Sequence, residues 1–245
     1  VKPFVLIATR PEDEVASNEK TSIVDFTGLR EEDLIWARLD REPFPELAAE
    51  DISGIILGGS PFTVSEPDET KSAAELRAEK EIFRVLDHVF EQDIPFFGAC
   101  YGIGTLGTHQ GALIDRTYGE PLGAIEVALT EAGQADPLIR EAGMSCTFTG
   151  LVGHKEAVRS LPEHATVLAT GQACPVQMFR VGTRQYSTQF HPELDVPAII
   201  ERARAYRDHG YFSPDQMEEV FEALAAVTAD QPPKLLRAFA TLFAR

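Results

Sequence analysis

The chain is 245 residues long, 44% hydrophobic and 25% charged, and carries a formal net charge of −17. A surface of that sign repels a phosphate backbone, which excludes nucleic acid as a partner. No apolar run approaches a membrane span and no basic–apolar leader opens the chain, so a cytoplasmic protein with no membrane partner is expected.

In chain order, Lys2 to Ala8 is a short, nearly continuous apolar run of the kind buried on both faces of a parallel sheet. A helix is expected over about Asn18 to Phe26, then strands over Leu34 to Leu39 and Ile52 to Leu57. The latter strand ends in Gly58-Gly59-Ser60-Pro61. Between about Lys71 and Phe90, Leu76, Ile82, Phe83, Val85, Leu86 and Val89 recur every three or four residues, the period of an amphipathic helix. Ile94 to Phe97 reads as a buried strand running into Gly98-Ala99-Cys100-Tyr101-Gly102, with a helix after it that Gly111 ends. The alternation predicts a doubly wound α/β sheet with its ligand site beyond the carboxyl ends of the strands.

After Gly111 the pattern changes to short strands over Ile125 to Thr130, Ala165 to Ala169, Val176 to Val181 and Gln185 to Phe190, expected as antiparallel additions to the sheet. From Val196 to Arg245 the chain is expected to be helical. Ser213 and Pro214 form an N-cap and first-turn pair, and a last helix carries Leu235, Leu236, Phe239, Leu242 and Phe243 packed on the rest. Two units follow, 1–195 and a helical extension, 196–245.

Three cysteines at wide spacing suit neither a disulfide framework nor a zinc site. Cys146 and Cys174 lie in β-like surroundings and are expected in the core. Cys100 differs. Gly-x-Cys-x-Gly between a strand and a helix is the thiol form of the nucleophile elbow, where glycines make room for a strained turn. A thiol in a first helical turn also meets unsatisfied N–H groups that favour thiolate. On spacing alone, a buried cysteine in a Gly-rich turn explains the motif equally well.

A nucleophilic thiol needs a base, and the base an orienting group. Among six histidines, His191 has the fitting context. It follows a strand and precedes Pro192-Glu193, and the extended geometry forced before proline puts residues i and i+2 on one side. Glu193 can then accept the Nδ1–H of His191 while Nε2 takes the Cys100 proton. Backbone N–H groups of Gly59 or Ser60, with that of Tyr101, can form an oxyanion hole, an effect of roughly 3–4 kcal/mol per donor.

The elbow, the Gly58-Gly59-Ser60-Pro61 loop and Gln189-Phe190-His191-Pro192-Glu193 resemble the class I glutamine amidotransferases, including the amidotransferase domain of GMP synthase and its stand-alone relatives. The likeness runs from about Phe4 to Asp195 and takes in Leu129 to Gly133, Asp136-Pro137-Leu138 and Cys174 to Phe179. It implies a flavodoxin-like fold with a mixed sheet, no cofactor, and hydrolysis of a γ-glutamyl amide such as glutamine through a thioester on Cys100. His191 would be the acid/base and Glu193 its orienter. It also implies a separate synthetase subunit as the user of the ammonia. Three features depart from the family pattern. Gly104 stands where relatives carry glutamine, the oxyanion loop reads Gly-Gly-Ser-Pro rather than Ser-Gly-Gly-Pro, and about fifty mostly helical residues follow in place of a synthetase domain. A partner-independent γ-glutamyl hydrolase or peptidase is therefore an alternative, and a non-catalytic binding or regulatory module a second. His154 and Lys155 either contact a substrate carboxylate, with Gln189 nearby, or belong to a solvated turn.

Overall fold

A computed structural model describes residues 1–206 and 217–245. Ser213 and Pro214 lie outside the described residues. The first half builds β1 (Phe4–Ala8), α1 (Asp13–Thr27), β2 (Leu34–Arg38), β3 (Gly54–Leu57), α2 (Ala73–Glu91), β4 (Phe96–Ala99) and α3 (Tyr101–His109). Here β1 pairs in parallel with β2 and β3, and β3 with β4. β1, β3 and β4 are buried on both faces, whereas β2 at the edge is only partly buried. Phe4 and Leu6 point into the layer that includes Ile23 of α1, whereas Val5 and Ile7 point into the layer that includes Ile82 and Leu86 of α2. Ser72 caps α2, its hydroxyl accepting from the Glu75 N–H at 3.2 Å.

The second half contributes β5 (Leu113–Asp115), β6 (Glu120–Leu129), α4 (Glu131–Ala135), α5 (Pro137–Glu141), β7 (Thr147–His154), β8 (Ala157–Ser160), β9 (Ala165–Gly171), β10 (Met178–Val181) and β11 (Gln185–Thr188). The large sheet runs β2-β1-β3-β4-β11-β10-β9-β6-β7, and β5 pairs with β8 in a separate ribbon. From β11 outward every pairing on the β10 side is antiparallel, whereas β11 itself lies parallel to β4. The result is the doubly wound sheet that the alternation predicts and the flavodoxin-like mixed fold that the resemblance implies. The β4–β11 register sets Ala99 opposite Thr188, so Cys100 and His191 leave neighbouring strands at the same edge.

The final segment forms α6 (Val196–Ala205), α7 (Met217–Ala225) and α8 (Pro232–Phe243). Leu235, Leu236 and Phe239 of α8 are fully buried, and the Phe239 ring lies 6.0 Å from that of Phe4 and 5.6 Å from that of Phe97. Leu242 alone of the expected stripe is exposed.

Three expectations need revision. Helix α1 begins at Asp13 rather than Asn18: Asp13 and Glu14 suit the positive end of the helix dipole, and Val15 and Ala16 in the same stretch are buried. Strand β7 was not anticipated, since Gly150 and Gly153 interrupt its pattern. A Cβ at Gly150 would lie 3.1 Å from the Phe190 Cβ, so the glycine permits a close approach. Cys146 is exposed, because it leads into β7 at the edge of the sheet, whereas Cys174 is buried.

Candidate active site

The elbow comes first. Cys100 has φ 51° and ψ −89°, one of two non-glycine residues with positive φ among the described residues. Such a backbone costs on the order of 1–3 kcal/mol and persists only where its surroundings enforce it. The Cys100 N–H donates to the Thr188 carbonyl at 2.8 Å, tying the turn to β11. Gly98 is the demanding glycine of the pair. A Cβ there would stand 2.8 Å from both the Gly102 Cα and the Ser187 Oγ, whereas one at Gly102 would meet nothing closer than 3.6 Å.

His191 and Glu193 come together as the extended His-Pro-Glu geometry predicts. The two side chains share a hydrogen bond, His191 Nδ1–H donating to Glu193 Oε1 at 2.7 Å. Glu193 is fully buried. The His191 N–H donates to the Leu151 carbonyl at 2.9 Å, so β7 holds the histidine from the far side. Burial opposes a charge on His191, but Glu193 and the hydrogen-bonded Cys100 thiol outweigh it and push the imidazole up to about 9. Burial works against the Glu193 carboxylate too, yet His191 and Arg202 hold it well below the usual carboxylate range. By contrast, burial pushes the Cys174 thiol up to about 12, the behaviour of an inert core cysteine.

The His191 shift carries a stability consequence. Folded His191 holds its proton more tightly than a histidine with the ordinary value of 6.5. The resulting stabilisation is complete below about pH 6.5 and is lost as pH rises through about 9, a change of about 3 kcal/mol. Urea unfolding is expected to show that loss between pH 6 and 10, and His191→Gln to flatten it.

A buried charge network stands behind the pair. Arg202 of α6 donates from Nη1 to the same Glu193 Oε1 at 3.0 Å and from Nη2 to Glu19 Oε1 at 3.5 Å. Arg10, just after β1, donates to Glu19 Oε1 at 3.0 Å and to the Tyr206 hydroxyl at 3.3 Å. Glu19 and Arg10 are both almost wholly buried. None of Arg10, Glu19, Arg202 or Tyr206 belongs to a motif visible in the sequence. One signal was available for two of them. Arg202 and Tyr206 share a helical stripe with Ile199 and Ala203, so that a cation interrupts an otherwise core-facing row.

The Gly58-Gly59-Ser60 loop leaves β3 at the same edge. A Cβ on Gly59 would lie 3.2 Å from His191 Cε1 and 2.7 Å from Arg10 Nη2, which leaves room only for glycine. The N–H groups of Gly59, Ser60 and Tyr101 donate to no acceptor among the described residues.

Cys100 lies between two cavities, and Ser60 and Gly153 line both with it. One cavity, with about 380 Å³ of space between atoms and partly open to solvent, is walled by Phe62, Tyr101, Gly104, Lys155, Glu156 and Gln189. A Cβ at Gly104 would meet Glu156 Oε1 at 3.0 Å, and the Glu156 carboxylate accepts from the Val64 and Ser65 N–H groups at 2.9 and 2.8 Å. The Glu156 carboxylate thus occupies the space a side chain at 104 would need. His154 borders this cavity but turns its ring inward. Its Nδ1 lies 2.9 Å from the Glu156 carbonyl oxygen and its Nε2 3.0 Å from Glu120 Oε2, leaving no ring nitrogen for a substrate. Gln189 is buried, with its side-chain oxygen unpartnered among the described residues. The other cavity, with about 440 Å³ of such space including its open mouth, adjoins His191.

Comparison with known proteins gives the family and the fold. A family model, "Glutamine amidotransferase class-I", matches residues 22–197. The glutamine-hydrolysing GMP synthases of Salmonella typhimurium and Xanthomonas axonopodis pv. citri are each 29% identical, over 150 and 161 residues, covering 58% and 65% of this chain. The alignments take in 25% and 28% of those relatives, so the chain spans about a quarter of their length. Among solved structures, a glutamine amidotransferase from Thermotoga maritima superposes with a TM-score of 0.77 at 20% identity, covering 99% of this chain and 98% of its own. One from Methylobacillus flagellatus gives 0.69 at 16% identity, covering 100% and 93%. At these identities the likeness is one of fold.

Proposed function

The chain belongs to the class I glutamine amidotransferase family, and on that premise we propose that it hydrolyses a γ-glutamyl amide, glutamine being the simplest, through a thioester on Cys100. The observation that carries the reading is the strained Cys100 facing a His191 that is itself hydrogen-bonded to a buried Glu193.

In this reading His191 holds the proton of the thiol as the sulfur attacks the γ-carbonyl carbon, in keeping with an imidazole pushed up to about 9. The developing oxyanion is met by the unpaired N–H groups of Tyr101 and of Gly59 or Ser60. Collapse breaks the C–N bond, and His191 returns its proton to the departing nitrogen. Water, deprotonated by His191, then cleaves the thioester, releasing glutamate and the thiol. Glu193 fixes the histidine tautomer and stabilises the imidazolium, while Arg202 holds Glu193 in place. No step calls for a metal or an organic cofactor.

The cavity beyond Tyr101 would take the γ-glutamyl part. Lys155 and Glu156 carry opposite charges there, matching the α-carboxylate and α-ammonium of an amino acid. Glu156 would stand in for the glutamine side chain that relatives carry at the position of Gly104. Ammonia would pass to a separate synthetase, by likeness to the GMP synthases. The 440 Å³ cavity beside His191 favours the second reading, a hydrolase that needs no partner. The test is glutamate release from glutamine by the chain alone. Release that depends on Cys100 supports the proposal, and its absence, with and without an added synthetase, opposes it.

A further inference from the structure

Two cavities meeting at one thiol raise the question of which part of a substrate enters each. The catalytic proton decides it. The group that protonates the departing nitrogen must lie within hydrogen-bond reach of that nitrogen. His191 lines the second cavity and not the first, whereas Gly104, Lys155, Glu156 and Gln189 line only the first. With the γ-glutamyl chain in the first cavity and its carbonyl carbon at Cys100, the nitrogen and anything attached to it point into the second.

Of that space about 40 Å³ admits a molecule the size of water, where a single water needs about 10–15 Å³, so the cavity holds more than one ammonia and opens to solvent beyond it. Its apolar lining comes from Leu122 on β6, Leu194 after the His-Pro-Glu turn, and Ile199 and Ala203 on α6. Arg10 and Arg202 also border it, but their charges are matched by Glu19 and Glu193 in the buried network. The cavity therefore presents mostly apolar walls, with both guanidinium charges already paired.

We propose that this cavity is a leaving-group site, and that the preferred substrates are N-substituted γ-glutamyl amides whose amine carries an uncharged apolar group. The proposal rests on the Cys100 thioester reading. Attack forms the S–C bond, the C–N bond breaks, and the amine departs with the proton His191 took from the thiol. Water then cleaves the thioester to glutamate and thiol, so the overall step is a hydrolysis with no redox partner.

The test compares kcat/KM for glutamine, γ-glutamyl-n-butylamide and γ-glutamyl-4-aminobutyrate on the full chain. Burial of a methylene is worth about fourfold in binding, so the butylamide is expected to exceed glutamine by at least tenfold and to exceed its carboxylated analogue. Ala203→Trp, which fills the cavity from α6, is expected to bring the butylamide-to-glutamine ratio down toward one, and Ala203→Leu to lower it partway if the larger ring impairs folding. Turnover of glutamine with little or none of the butylamide overturns the proposal while leaving the thioester reading intact. Preference for the carboxylated analogue overturns the uncharged class, and an unchanged ratio in both variants overturns the assignment of the cavity. No release from any of the three, together with an unreactive Cys100, overturns the underlying reading as well.

Discussion

Replacing Cys100 by alanine is expected to lower glutamate release by at least about 10⁴-fold, more than 5 kcal/mol of transition-state stabilisation. In the proposed mechanism the sulfur forms the bond that divides one difficult hydrolysis into two easier steps, and an unaided water at the same site has no comparable nucleophilicity. Stability should change by no more than about 1 kcal/mol, because alanine inherits the same strained backbone at φ 51° and the side chain is only half-buried. Circular dichroism and urea unfolding of Cys100→Ala would separate a chemical loss from a folding loss. Residual turnover within tenfold of the wild type would remove Cys100 from the mechanism.

Arg202→Met has the second largest expected effect, and it acts through Glu193 rather than through substrate. The substitution keeps most of the stem but leaves Glu193, fully buried, with His191 as its single charged partner, and withdraws one of two cations from Glu19. Removing one partner from a buried pair costs on the order of 3 kcal/mol or more. Loss of the Arg202 charge also strengthens the pull of Glu193 on the imidazolium. The His191 value, already about 9, should therefore rise, and the limb of kcat/KM that it governs should move to higher pH. Arg202→Lys, which restores charge without the second hydrogen bond, is expected to recover part of both effects. Reduced stability with an unshifted pH profile would make Arg202 a structural residue only.

Much of the catalytic geometry was legible in the sequence because its signals are local. The elbow is five consecutive residues, the His-Pro-Glu turn is three, and proline fixes the backbone that puts His191 beside Glu193. The parallel strands were equally plain, since Phe4 to Ala8 and Ile55 to Leu57 are apolar without alternation. What escaped was non-local. Arg202 meets Glu19 across 183 residues of chain because α6 folds back across the strand ends, and Arg10 meets Tyr206 across 196. No spacing rule encodes such pairings. Strand β7, which supplies Gly153 and anchors His191 through Leu151, hid behind Gly150, close to Phe190, and Gly153, close to Leu122.

Gly104 changes meaning in the same way. In the sequence it reads as a lost contact, one turn beyond the nucleophile. In the fold the space is taken by Glu156, a residue 52 positions later that β7 and β8 bring to the site. An acidic oxygen thus fills the space beside residue 104.

The central claim is that Cys100 attacks the side-chain carbon of a γ-glutamyl group. Intact-protein mass spectrometry after treatment with 6-diazo-5-oxo-norleucine, a glutamine-like electrophile, tests it most directly. A single adduct per chain, mapping to Cys100 and absent from Cys100→Ala, is the predicted result. No adduct, or one that persists in Cys100→Ala, would contradict it.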